Sequence, residues 1–115
     1  MSWHEKLVVS DLSTSLVEVI PPRDLETRPH RVITFEVAAG AEQRGLADAK
    51  IQTGPTAAGP WEDEDLSGTG IPTLAAGGHK PYRFSRYDRW VRVLAQSATD
   101  ADKHCDLTVY LDAVG

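Results

Sequence analysis

The stretch RVITFEVA, residues 31–38, decides the fold reading. Successive side chains on a strand point to opposite faces. That period puts Ile33, Phe35 and Val37 on one apolar face, with Val32, Thr34, Glu36 and Ala38 on the other. One apolar and one mixed face is the signature of an antiparallel sheet covered on one side. Gly40 ends the run.

Three downstream segments repeat the alternation. WVRVLAQS, residues 90–97, sets Val91 and Val93 against Trp90, Arg92 and Leu94. DLTVYLDAV, residues 106–114, turns Leu107, Val109 and Leu111 inward and Thr108, Tyr110 and Asp112 outward. KPYRFS, residues 80–85, has Tyr82 and Phe84 on one side. Upstream, KLVVSDL from Lys6 is a short apolar run, and SLVEVI, residues 15–20, is expected to stop at Pro21-Pro22, which cannot donate to a ladder. ADAKIQT, residues 47–53, reads as a strand closed by Gly54-Pro55. The best helical candidate, residues 38–49, is broken by Gly40 and Gly45, so no helix longer than one turn is expected. Seven to eight short strands at about 8–12 residue spacing predict an all-β chain. The expected architecture is a single antiparallel β-sandwich, jelly-roll-like, over residues 1–115 with a short N-terminal arm at 1–5.

Composition bounds the function. The 10 Leu, 4 Ile, 10 Val and 2 Phe make 26 of 115 residues, and three Trp with three Tyr raise the core-forming set to 32. That suffices for one thin core and excludes a large enzyme with separate cofactor and substrate domains. The net charge of −5 argues against a general nucleic-acid binder. One Cys excludes an intramolecular disulfide. No apolar run approaches a membrane span, and MSWHEKLVVSDL lacks a signal-peptide pattern, so a chain that remains where it is made is expected.

The motifs of catalysis are missing. His4, His30, His79 and His104 do not fall in the close pairs of a zinc site, and His104 and Cys105, adjacent on a strand, face opposite ways. Asp100, Asp102 and Asp106 lack the Gly and Glu of a calcium loop and read as a solvated acidic turn. Ser67-Gly68-Thr69-Gly70 lacks the Lys-Ser/Thr of a phosphate loop. The carboxylates Glu62, Asp63, Glu64 and Asp65 are expected on a loop with no desolvating pocket to raise a pKa. No catalytic residue, metal or cofactor is therefore expected.

Two charge features remain, the acidic run at 62–65 and the segment 80–92, where Lys80, Arg83, Arg86, Arg89 and Arg92 face only Asp88. They are either solvated faces and partners within one fold, or a lateral contact between copies, for which arginine's bidentate geometry suits carboxylates. Trp3 either covers the sandwich edge or reaches a neighbouring protein. The candidate contact residues are thus Trp3, Glu62, Asp63, Glu64, Asp65, Arg83, Arg86, Arg89 and Arg92.

The order of signals along the chain resembles a known family. VVSDLSTSLVEVIPPRDLE (8–26) is followed by RVITFEV, then KIQTGPTAAGPWEDEDL (50–66) with its Gly-x-Trp step. LAAGG (74–78), PYRFS (81–85), RYDRWVRVLAQS (86–97) and DLTVYLDAV complete it. This layout resembles the small β-sandwich capsid-stabilising proteins, cement or decoration proteins, of tailed bacteriophages. The resemblance implies a non-enzymatic virion protein made in the host cytoplasm. Its partners would be the major capsid protein and itself, as a homo-trimer or dimer, with no nucleic acid and no membrane. The alternative is a carbohydrate- or receptor-binding module of a phage tail or baseplate, with Trp61, Trp90 or Tyr110 as a platform. An enzyme subunit of lyase-like sandwich type is the third reading.

Overall fold

A computed structural model describes residues 2–64 and 73–115. Among the described residues there are eight strands: β1 (Ser2–Val9), β2 (Val17–Asp24), β3 (His30–Val37), β4 (Leu46–Gly54), β5 (Glu62–Asp63), β6 (His79–Ser85), β7 (Trp90–Ser97) and β8 (Leu107–Val114). They form two antiparallel sheets, ordered β1-β8-β3-β6 and β2-β7-β4-β5. The pairs β1–β8, β2–β7, β3–β6 and β4–β5 are those of one long hairpin, and β3–β8 and β4–β7 arise where the hairpin is rolled up. This is a jelly roll, and the chain is an all-β sandwich.

The alternation in RVITFEVA is realised: Ile33, Phe35 and Val37 are fully buried. Val91, Val93 and Ala95 of β7 meet them from the facing sheet, with Leu107, Val109 and Leu111 beside them on β8. Phe35 and Tyr82 pack edge to face at 5.8 Å. Burying each such side chain contributes about 1.5–3 kcal/mol. Leu12 and Leu25, both from connections rather than strands, are buried at opposite ends and seal the core.

Several expectations are corrected. Pro21-Pro22 do not end β2; the strand runs on to Asp24 through two register shifts, between Glu18 and Ile20 and between Ile20 and Arg23. Because β2 is an edge strand, a missing N–H costs no ladder bond there, and bulges absorb the prolines. Residues 2–5, read above as an arm, pair with β8 from Ser2↔Val114 to Glu5↔Leu111. β4 begins at Leu46, earlier than expected, because Leu46 exchanges backbone hydrogen bonds with Leu74 at 2.8 and 3.1 Å. That close approach requires Gly45, since a Cβ there would lie 2.1 Å from the Leu74 carbonyl oxygen. The Ser67–Gly70 turn lies outside the described residues.

The exposed edges are blunted. β5 has two residues, β6 carries Pro81, and β2 carries its prolines and bulges. β1 is tied to β2 across the open side by Glu5 and Arg23, whose guanidinium donates at 2.7 and 3.0 Å.

The end of the sandwich that holds the connections 10–16, 38–45 and 98–106 is organised by Arg44. Its guanidinium donates to Ser97 Oγ at 3.0 Å, to the carbonyls of Asp100 (3.0 Å), Lys103 and Leu12 (3.3 Å), and to Asp11 at 3.4 Å. Next to it, buried Gln43 donates to Asp106 at 2.9 Å and accepts the Asp106 amide at 2.9 Å, while its Nε2 lies 2.9 Å from His104 Nε2. Asp106 is thus a fixed acceptor rather than part of a freely solvated turn. The Asp11 amide and Gln43, helped by His104, hold its carboxyl below the usual range.

Arg44→Ala leaves several loop carbonyls without donors and is expected to destabilise the chain by about 2–4 kcal/mol in urea unfolding. Asp106 has a folded pKa below its ordinary value of 3.8. Its contribution is therefore present above that value and is lost as pH falls through the folded one. Asp106→Asn is expected to lower the melting temperature at neutral pH, with the gap to the unmodified chain narrowing as the pH of the melts falls progressively below 3.8.

Candidate functional site

The acidic and basic segments meet within one chain. Glu64 follows β5, its amide bonded to the Ile51 carbonyl at 2.7 Å, and its side chain is only 6% exposed. Its carboxylate lies 2.6 Å from Arg86 Nε. Burial pushes the Glu64 carboxyl up, against the opposing pull of Arg86. One member of the acidic run is therefore desolvated, contrary to the expectation of an entirely solvated loop. Asp63 accepts from Gln52 at 2.6 Å and lies 3.8 Å from Lys50 Nζ; Glu62 is exposed on β5. Asp65 lies outside the described residues.

The arginines separate to different faces. Arg83 stands exposed on the outer side of β6. Arg89 chelates Asp24 with Nε at 3.1 Å and a second donor, which holds the Asp24 carboxyl below the usual range. Arg92 lies on the outer face of the second sheet, donating to Gln52 Oε1 at 2.6 Å and lying 3.6 Å from Glu18. Its guanidinium covers the Trp61 ring at 4.6 Å. Trp61 in turn packs on Gly54, whose register partner is Trp90; a Cβ at residue 54 would meet the ring at 3.3 Å. Tyr110 lies on the other sheet, so it cannot share a platform with the two tryptophans. Trp3 turns inward against the core, with the Arg28 guanidinium 5.8 Å above its ring.

At the end of the sandwich opposite Arg44 stands Arg31, a residue outside the expected contact set. Strand register aligns Trp3, Ala113, Arg31 and Phe84 in one row on the core side of the first sheet. Arg31 is 1% exposed. Nε donates to the Arg28 carbonyl at 3.1 Å, another nitrogen donates to the Asp88 carbonyl, and the third nitrogen is buried with no hydrogen-bond partner among the described residues. Burial pulls this guanidinium's pKa down, opposed by the nearby carboxylates of Asp88 and Glu64. The alternation itself carried the signal, since Arg31 is two residues before core-facing Ile33.

These bonds fix the connection 86–89. The Arg86 amide donates to Pro29 at 3.0 Å, and the Leu25 amide to the Arg89 carbonyl at 2.7 Å. At the tip of this braced turn Tyr87 is 87% exposed. Beside it on the outer face of the first sheet is a groove of about 370 Å³, lined by Val32 and Val114 with His30, Arg83 and Ser85 among its polar groups. His30 Nδ1 and Ser85 Oγ are 3.1 Å apart, and His4 and Asp112 are 2.5 Å apart on the same face. Such a surface can bind through apolar contact and hydrogen bonds. Among the described residues no group of three or more His, Cys, Asp or Glu is placed to hold a metal ion. Cys105 is buried, which pushes its thiol up and away from the reactive thiolate.

No protein-family model and no curated protein matches this sequence. Among solved structures, the chain is similar to the PBSX exported protein XepA, with a TM-score of 0.64 and 14% identity over 98% of this chain. It is also similar to a picornavirus capsid, that of an expanded equine rhinitis A virus particle (TM-score 0.51, 9% identity, 98% of this chain and 72% of that one). A third likeness is to infectious bursal disease virus, Gx strain (TM-score 0.50, 8% identity, 99% of this chain and 33% of that one). The chain spans 37% of the length of XepA. At these identities the likeness is one of fold: the small β-sandwich expected from the sequence is also the architecture of these proteins.

Arg31→Ala strips the donors from two loop carbonyls and is expected to cost about 2–4 kcal/mol in chemical unfolding. Tyr87→Ala, removing a ring that touches little of its own fold, is expected to stay within about 0.5 kcal/mol of the unmodified chain.

Proposed function

We propose that the chain is a non-enzymatic structural protein of a virion, a cement or decoration protein on the outer capsid surface. It binds neighbouring major capsid protein subunits, as a homo-trimer or dimer, and holds them together. The observation that carries this reading is the eight-stranded jelly roll, a fold it has in common with capsid proteins. The internal use of its polar groups supports it as well. Glu64, Asp24, Asp106 and Glu5 are each engaged by partners that hold the sandwich together. A small domain present in many copies stabilises a shell through modest interfaces, because each bound copy favours the assembled state by mass action.

A second reading is a glycan-binding module of a tail or baseplate. Trp61 and Trp90 flanking Gly54, with Arg92 and Gln52 beside them, is the arrangement that favours it. Saturable heat on titration with cell-surface glycans would move the assignment to that reading.

The deciding experiment adds the purified chain back to capsids that lack it. Saturable binding with a gain in resistance to heat is expected, and the binding is expected to weaken as salt rises from about 0.05 to 0.5 M. Absence of binding, or binding with no gain in resistance, would overturn the assignment.

A further inference from the structure

We infer that the Tyr87 end of the sandwich is the face that meets the shell, with the Tyr87 ring entering an apolar pocket rimmed by carboxylates on the capsid protein; this rests on the function proposed above. Three observations converge on this end. The first is exposure. Tyr87 is 87% exposed, a large ring kept in water where it does nothing for its own core. Tyrosine and arginine are the residue types that dominate protein interfaces, because a rigid ring buries much area at a small entropic cost.

The second is that the ring sits on a turn already ordered. Residues on both sides are held, Arg86 by Pro29 and Glu64, Asp88 by Arg31, and Arg89 by Leu25 and Asp24. A partner therefore meets a fixed loop, and little ordering cost remains to be met on binding.

The third is charge. The chain as a whole carries −5, yet Arg83, Arg86 and Arg89 all lie within four residues of Tyr87 along the chain. Arg83 has no hydrogen-bond or ion-pair partner among the described residues. Arg86 and Arg89 leave half of their side chains exposed, at 50% and 56%. A guanidinium has five N–H donors, so each retains donors for a second carboxylate. The neighbouring groove, with Val32 and Val114, supplies apolar area for the same contact.

The test titrates stripped capsids with the unmodified chain and with Tyr87→Ala, Tyr87→Phe, Arg83→Glu and Val8→Asp, each first checked for an unchanged melting transition. Val8 is 62% exposed on β1 toward the opposite end and serves as the distant control. Tyr87→Ala is expected to weaken binding by about tenfold or more, with Tyr87→Phe retaining most of it. Arg83→Glu is expected to weaken binding and flatten its salt dependence, and Val8→Asp to leave it unchanged. If Tyr87→Ala and Arg83→Glu bind like the unmodified chain while that chain binds well, the docking face lies elsewhere and only this inference fails. If the unmodified chain does not bind, the proposed function fails and takes the inference with it. Tyr87-dependent retention on single-stranded nucleic acid, with no such dependence on capsids, would overturn the partner class.

Discussion

Two arginines at opposite ends of the sandwich hold the connections that a rolled hairpin must close. A jelly roll brings loops from distant parts of the chain together over the ends of its core, where their carbonyls lose water. Arg44 answers those at one end and Arg31 those at the other. A guanidinium suits this task because its donors fan out in a plane and its charge strengthens each bond. Leucines could fill the same space but would leave the carbonyls unpaired. The strands can form from their apolar faces alone; how the ends are shaped depends on these two residues.

The two ends differ in consequence. Around Arg44 the network turns inward, with Gln43, Asp106 and Asp11 using one another's donors and acceptors. Around Arg31 the braced turn projects an aromatic ring and partly free guanidinium groups into solvent. The same bonding that closes the core there also sets the orientation of Tyr87. Core closure and the placement of the ring are linked at that end through the carbonyl of Asp88, one residue from Tyr87.

What could be read in the sequence follows from the range of each interaction. β3, β7 and β8 were legible because alternation is local and one face is buried. The continuation of β2 past two prolines was not, since tolerance there depends on its being an edge strand, a property of the topology. The inward turn of Trp3 and the Glu64–Arg86 pair join residues far apart in sequence, and composition carries no register. Arg31 is the instructive case. Its period placed it on the core face, yet a charged residue reads as exposed unless partners are in view. The thin core counted from composition is realised as one cluster, sealed at its ends by Leu12 and Leu25 from the connections.

The bonds from Arg31, Arg86 and Leu25 imply that the Tyr87 end is ordered in the free chain. Residue-resolved amide hydrogen exchange on the free chain tests it most directly. The amides of Arg86 and Leu25, donors to Pro29 and Arg89, are expected to exchange as slowly as those in the middle of β7. Exchange of these two amides at the rate of an open loop would contradict it.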